Sequence, residues 1–142
     1  MKIINGEGMI LGRLAALVAK EALLGEEINV INCDKVVISG NKFNVYKKEK
    51  QKRDRRGYPL KSQKLTRMPD RFVRRTIRGM LPHKQSRGRE AFKNVMCYIG
   101  VPEEFSAQAI TYASATASKL PTLNYVTVGE VCKMLGGKLE WF

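Results

Sequence analysis

The sequence is poor in the residues from which many enzymes and metal proteins are built. It has one histidine, His83, and three widely separated cysteines, Cys33, Cys97 and Cys132. No Cys-x-x-Cys pair is present, so neither a zinc site nor a disulfide framework is expected, and no metal. Small, inert thiols in a reducing compartment account for the cysteines. Long apolar runs are missing too: the longest, residues 14–19, is far below the roughly 20 residues of a membrane span. Only Ile3 and Ile4 follow Lys2 before the chain turns polar at Asn5, which is no core for a secretory signal, and the chain is expected in the cytoplasm. A G-x-x-x-x-G-K-[ST] loop, a G-x-S-x-G elbow and a His-Glu-x-x-His pair are all absent. The common signatures of nucleotide hydrolysis, acyl transfer and zinc proteolysis go with them.

Acidic residues are the other scarcity. Against 26 Lys and Arg stand 13 Asp and Glu, a net charge of +13, and the excess is local. Residues 41–100 hold 19 basic and four acidic side chains, whereas the other 82 residues hold seven and nine. A chain this basic repels itself unless a polyanion neutralises it. Confinement of the charge to one segment is more than solubility asks for, so nucleic acid is the expected partner class.

A chain of 142 residues can bury one core without staples, and a single domain over 1–142 is expected. Residues 2–5 form a short β-prone run. Residues 11–24 carry Leu11, Leu14, Ala15, Val18, Ala22 and Leu23 on one side of a helix, and Gly25 suits a left-handed stop. Residues 28–32 read as a second strand, parallel to the first across the helical crossover. A further β-branched run, Val36-Val37-Ile38, ends at Ser39-Gly40-Asn41. The basic segment at 41–100 opens with a stretch, up to Gly57 and Pro59, that is expected to begin as a helix and end as an arm. Pro69 and Asp70 suit the first turn of a helix that runs to Gly79. On it Arg71, Arg74, Arg75 and Arg78 recur at i, i+3, i+4 and i+7, beside an apolar stripe of Val73, Ile77 and Met80. A basic loop over 83–88 leads to a helix through Ala91, Phe92 and Val95 and a strand at 96–99. The remainder, 103–142, reads as an irregular stretch followed by a short helix. That helix opens on the capping box Thr127-Val128-Gly129-Glu130 and buries Val128, Val131, Cys132 and Leu135.

Gly6-x-Gly8-x-x-x-Gly12 follows a strand and opens a helix, and Asp34 lies beyond the second strand. That context fits a dinucleotide fingerprint, although the spacing departs from G-x-G-x-x-G, and glycines also serve simply to turn a chain tightly. A nicotinamide enzyme would need a substrate domain and a catalytic acid or base, which His83 in a basic loop does not supply. A DNA-binding architectural protein is the other alternative; no helix-turn-helix pattern supports it.

The arginine row suits phosphates, because each guanidinium offers a fixed fork of donors and stays charged when partly dehydrated. Lys47, Lys48, Lys50 and Lys52 add mobile charges, and Phe43, Tyr46 and Tyr58 either pack in the interior or stack on unpaired bases. Gly79 and Pro82 are expected to end the helix and turn the chain, so that Arg87 and Arg89 join Arg74, Arg75 and Arg78 on one cationic surface.

Three strings stand in register: Leu11-Gly12-Arg13-Leu14-Ala15, Asn32-Cys33-Asp34-Lys35-Val36-Val37-Ile38-Ser39-Gly40-Asn41-Lys42, and Arg78-Gly79-Met80-Leu81-Pro82-His83-Lys84-Gln85-Ser86-Arg87-Gly88. Together they resemble the universal L-thirteen family of large-subunit ribosomal proteins over roughly residues 1–102. The Lys/Arg-rich 43–68 segment and the tail after Pro102 look like its archaeal branch. The resemblance implies a three-layer α/β domain: a mainly parallel four-stranded sheet with helices on both faces, plus the basic arm and a C-terminal extension. It implies binding to large-subunit ribosomal RNA, help in early subunit assembly, and neighbouring large-subunit proteins as partners. It implies no enzymatic activity, cofactor, membrane or small-molecule substrate. Its principal RNA contacts would lie in the 78–88 turn, with Lys42 and the basic arm as another region, and its early glycines would be structural. The candidate RNA-binding residues are therefore Lys42, Lys47, Lys48, Arg53, Arg55, Arg56, Arg71, Arg74, Arg75, Arg78, His83, Lys84, Arg87 and Arg89.

Overall fold

Apolar residues recur with strand and then helix period through the first thirty residues, and the computed structural model, which describes residues 1–55, 66–105 and 109–138, forms those elements. β1 (Lys2–Asn5), α1 (Leu11–Leu23) and β2 (Ile28–Ile31) make the crossover unit, with β1 and β2 parallel and Lys2 opposite Ile28. α1 turns Leu14, Ala15, Val18, Ala19 and Ala22 inward. Gly25, just past it, takes the left-handed conformation at φ +93°, which a side chain would disfavour. β4 (Val95–Cys97) pairs parallel with the other edge of β2, giving the order β1-β2-β4. As the central strand, β2 is buried at all four residues, as expected of a parallel strand flanked on both sides.

A fourth strand in this sheet, implied by the resemblance, is not found among the described residues. The run at 36–38 becomes β3 (Val37–Ser39), which pairs antiparallel with β5 (Tyr125–Thr127) in a separate two-stranded ribbon. The reason is local. Asn32 sits at φ +55°, and Cys33–Lys35 form a 3-10 turn, so the chain leaves the sheet before Val36. Asparagine is among the few residues that tolerate this region. Single parallel bridges, Ile10 to Val37 and Ile4 to Ile110, tie the sheet to its surroundings.

Most of the basic segment is helical where it is described. α2 (Lys42–Asp54) starts on Asn41, whose side-chain oxygen accepts from the Phe43 amide at 3.0 Å. α3 (Pro69–Met80) has proline in its first turn and buries Val73 and Ile77 completely. Met80, expected in the same apolar stripe, is 43% exposed instead, and Leu81 points inward at 4%, because the helix ends there and the backbone turns extended. α4 (Ser86–Lys93) begins inside the stretch expected as a loop. α5 (Val128–Met134) is capped by Thr127, whose hydroxyl accepts from the Glu130 amide at 3.3 Å. The expected irregular stretch contributes backbone: the Ala115 carbonyl accepts from Ile10 and the Ala117 amide donates to Gly8, both at 2.8 Å.

One core joins Ile4, Ile28, Val30 and Val95 of the sheet to Leu14 and Val18 of α1, Val73 and Ile77 of α3 and Ala91 of α4. A smaller one gathers Val126, Val131 and Leu135 under Val45 and Tyr46 of α2. On the sheet face opposite Val95 and Cys97, Met96 is 41% exposed, so that side is open there. The fold is α/β as expected, and among the described residues its sheets are three parallel strands and a separate antiparallel pair rather than one sheet of four. The cysteines are free and buried. Burial, with Asp70 and Glu49 adding, pushes the Cys132 thiol up to about 12, and a hydrogen bond with Cys97 and burial raise Cys33; both thiols stay protonated and unreactive at neutral pH. No described helix is long and apolar enough to cross a membrane.

Candidate nucleic-acid interface

The i, i+3, i+4, i+7 spacing on α3 carries its four arginines to one side. Arg71, Arg74, Arg75 and Arg78 line a cleft of about 570 Å³ with Thr66 and Phe92. Arg71 and Arg78 are exposed, while Arg74 and Arg75 are half-buried. The position of Arg74 is fixed: its Nε donates to the Val95 carbonyl at 3.0 Å and its guanidinium lies 4.5 Å from the centre of the Phe92 ring. α3 is thereby tied to α4 and β4, while the terminal N–H groups of Arg74 remain uncommitted among the described residues.

Among the described residues, no acidic side chain lines this cleft. Asp70, the acid within the row, has a buried Oδ1 without a hydrogen-bond partner among the described residues, and its charge raises the interior thiols of Cys132 and Cys33. Among the described residues, no ion pair forms at Arg71, Arg78, Lys84, Arg87 or Arg89. Guanidinium groups gathered in a partly dehydrated cleft hold phosphate oxygens well.

The turn that follows is tight. Leu81 donates to the Arg78 carbonyl at 3.2 Å, His83 to Leu81 at 2.8 Å and Gln85 to Pro82 at 2.9 Å. Gly88 permits it, since a Cβ there would stand 2.2 Å from the Pro82 carbonyl oxygen. His83 and Lys84 line a hollow of about 310 Å³ with Gly79, Pro82 and Gln85. Arg87 and Arg89 are exposed on α4 but do not line the arginine cleft.

A second cleft of about 540 Å³ runs between α2 and α3, with Lys48, Lys52 and Arg75 among its lining residues and Glu49 bonded to Lys52 at its side. Arg75 therefore belongs to both clefts. Lys47 and Arg55 are exposed. On α2, Lys42 and Arg53 are engaged internally: Lys42 lies 3.6 Å from Glu130, and Arg53 donates to the Leu135 carbonyl at 3.1 Å, fastening α2 to the end of α5. Arg56 and Tyr58 lie outside the described residues. Lys52, expected to add mobile charge, lines the second cleft, whereas Phe92 and Thr66 were not singled out as site residues by sequence reasoning. Nothing in the local pattern marks Phe92 as a floor for Arg74, because that contact joins two helices.

The glycine turn after β1 has its donors committed to protein. Gly6 donates to the Ile31 carbonyl at 2.9 Å, Gly8 to Lys35 at 3.3 Å and Met9 to Gly6 at 3.1 Å. A Cβ at Gly6 would meet Val36 at 2.8 Å, and the Asp34 carboxylate accepts from the Gly100 amide at 3.3 Å. The amides of the glycine turn and one oxygen of Asp34 are thus used within the protein, where a dinucleotide site would offer them to a pyrophosphate and a ribose.

The family model described as ribosomal protein L13 matches residues 1–104. The large ribosomal subunit protein uL13 of Methanococcus maripaludis is 47% identical over 141 residues, covering 97% of this chain and 99% of the relative. Its counterpart in Methanopyrus kandleri is 47% identical over 137 residues, covering 94% and 86%. That of Methanocaldococcus jannaschii is 44% identical over 141 residues, covering 97% and 99%. With the family model spanning most of the sequence and archaeal relatives aligning along nearly all of it, the chain belongs to the ribosomal protein L13 family.

Proposed function

We propose that this chain is a non-catalytic constituent of the large ribosomal subunit that binds and stabilises large-subunit ribosomal RNA and assists early subunit assembly. The observation that carries the reading is the α3 cleft, where Arg71, Arg74, Arg75 and Arg78 converge and no acidic side chain is found in the lining among the described residues. The RNA backbone lies along this cleft and continues over the α3–α4 turn, meeting His83, Lys84, Arg87 and Arg89. Lys47 and Lys48 on α2, and Arg55 just past its end, extend the cationic surface. The relatives' description as large ribosomal subunit proteins supports the same reading. Other large-subunit proteins are the expected protein neighbours, in the cytoplasmic ribosome, and the 142 residues act as one RNA-binding unit.

Salt dependence of binding to a large-subunit ribosomal RNA fragment tests this. Engagement of about 6 to 10 phosphates predicts a loss of roughly 10³- to 10⁵-fold in affinity between about 50 and 200 mM salt. A flat response would contradict the electrostatic account, and equal affinity for duplex DNA at matched salt would contradict the preference for RNA.

A further inference from the structure

The exposed face of α2 carries a feature that the arginine cleft does not use. Val45, Tyr46 and Glu49 turn toward the protein, Glu49 to 9% exposure, whereas Phe43 at the head of the helix is 69% exposed. Lys47 and Lys50 follow Phe43 at i+4 and i+7, both exposed, and so continue from the ring along one line of the helix surface. The acids of α2 do not balance them: Glu49 is bonded to Lys52, and Asp54 to Arg53.

A single exposed apolar side chain needs no explanation. Phe43, however, stands on an ordered backbone and has company. The Asn41 cap orders the first turn of α2, and the Gly40 amide donates to the Asn124 carbonyl at 2.9 Å. That bond brings the strand bearing Tyr125, 46% exposed and opposite Ser39, to the same end of the molecule. An exposed aromatic ring at the head of a line of lysines that form no ion pair among the described residues is what unpaired RNA recognises, because a base stacks on the ring while its phosphates meet the ammonium groups. Lys47 stands about 6 Å from Phe43 along the helix axis, within reach of a phosphate flanking such a base. An apolar protein surface would instead have to cover the lysines.

We infer that Phe43 is a stacking platform for an unpaired base of the bound RNA, with Lys47 and Lys50 holding the adjoining phosphates. The inference rests on the RNA-binding reading above and adds to it a contact that reads single-stranded rather than helical RNA. Removing one base–aromatic stack should lower affinity for a large-subunit RNA fragment roughly 5- to 150-fold. Phe43→Ala should show that loss with unchanged thermal stability, Phe43→Trp should retain wild-type affinity, and Phe43→Leu should bind like Phe43→Ala. In assembled large subunits, 4-azidophenylalanine at position 43 should cross-link to RNA. Wild-type affinity for Phe43→Leu, or a cross-link to a neighbouring protein, would overturn the inference. Arg78→Ala separates its failure from that of the wider reading. If Arg78→Ala weakens binding and Phe43→Ala does not, the stack alone is wrong; if neither does, both fall.

Discussion

The turn after β1 and the turn between α3 and α4 both bring backbone too close for a Cβ. At Gly6 the added carbon would stand 2.8 Å from a Val36 methyl and 3.0 Å from the Ile31 carbonyl; at Gly88 it would stand 2.2 Å from the Pro82 carbonyl. Their surroundings differ. The first turn gives its amides to Ile31 and Lys35, and its charged neighbours, Glu7 and Lys35, pair with each other at 3.1 Å. The second is ringed by Arg78, His83, Lys84, Arg87 and Arg89, all exposed. Glycine spacing therefore reports close approach of backbone. Only free donors and uncompensated charge around it tell whether a ligand is held as well.

The largest effect on stability should come from Gly88→Ala, because its obstacle is backbone that cannot rotate away. A loss on the order of 3 kcal/mol or more is expected in urea unfolding, against about 1 to 3 kcal/mol for Gly6→Ala, where the nearest atom is a side-chain methyl. A stable Gly88→Ala variant would break the comparison at its firmest point. Within the cationic region, Arg74→Ala and Arg78→Ala should part. Arg74→Ala loses a bond to a buried carbonyl and a ring contact, so about 1 to 2 kcal/mol of stability should go along with RNA affinity. Arg78→Ala should leave stability within about 0.5 kcal/mol and lower the salt slope of RNA binding by about one. Equal stabilities would mean that the Arg74 contacts contribute nothing. The smallest expected effect is none at all: titration with nicotinamide dinucleotides should give no saturable binding. Micromolar binding altered by Asp34→Ala would reassign the first turn.

Much of the helical layout was legible because its signals are local. Gly25 ends α1 and Pro69 opens α3, each through backbone geometry that its own residue imposes. The arginine spacing on α3 was legible for the same reason, since helical period alone puts those residues on one side. The strand at 37–39 was legible as a strand but not by its partner. Its β-branched residues suit either sheet, and the turn at Asn32 chose the antiparallel ribbon with residues almost ninety positions away. Met80 looked like core because the helical period was extended one residue too far.

What the sequence determined by itself is the charge map, the α/β alternation and the arginine line, all consequences of composition and short-range periodicity. Tertiary structure alone decided which cations stay available. Arg53 and Lys42 sit in the same basic run as Lys47, yet packing of α2 against α5 engages one with the Leu135 carbonyl and the other with Glu130. Arg74 looks like Arg78 in the helical pattern, yet the arrival of Phe92 and Val95 beneath it makes it part of the framework. Such engagement depends on which carbonyls and rings the fold brings within about 3 to 5 Å of a guanidinium. Those partners come from distant parts of the chain, where no short-range pattern can announce them.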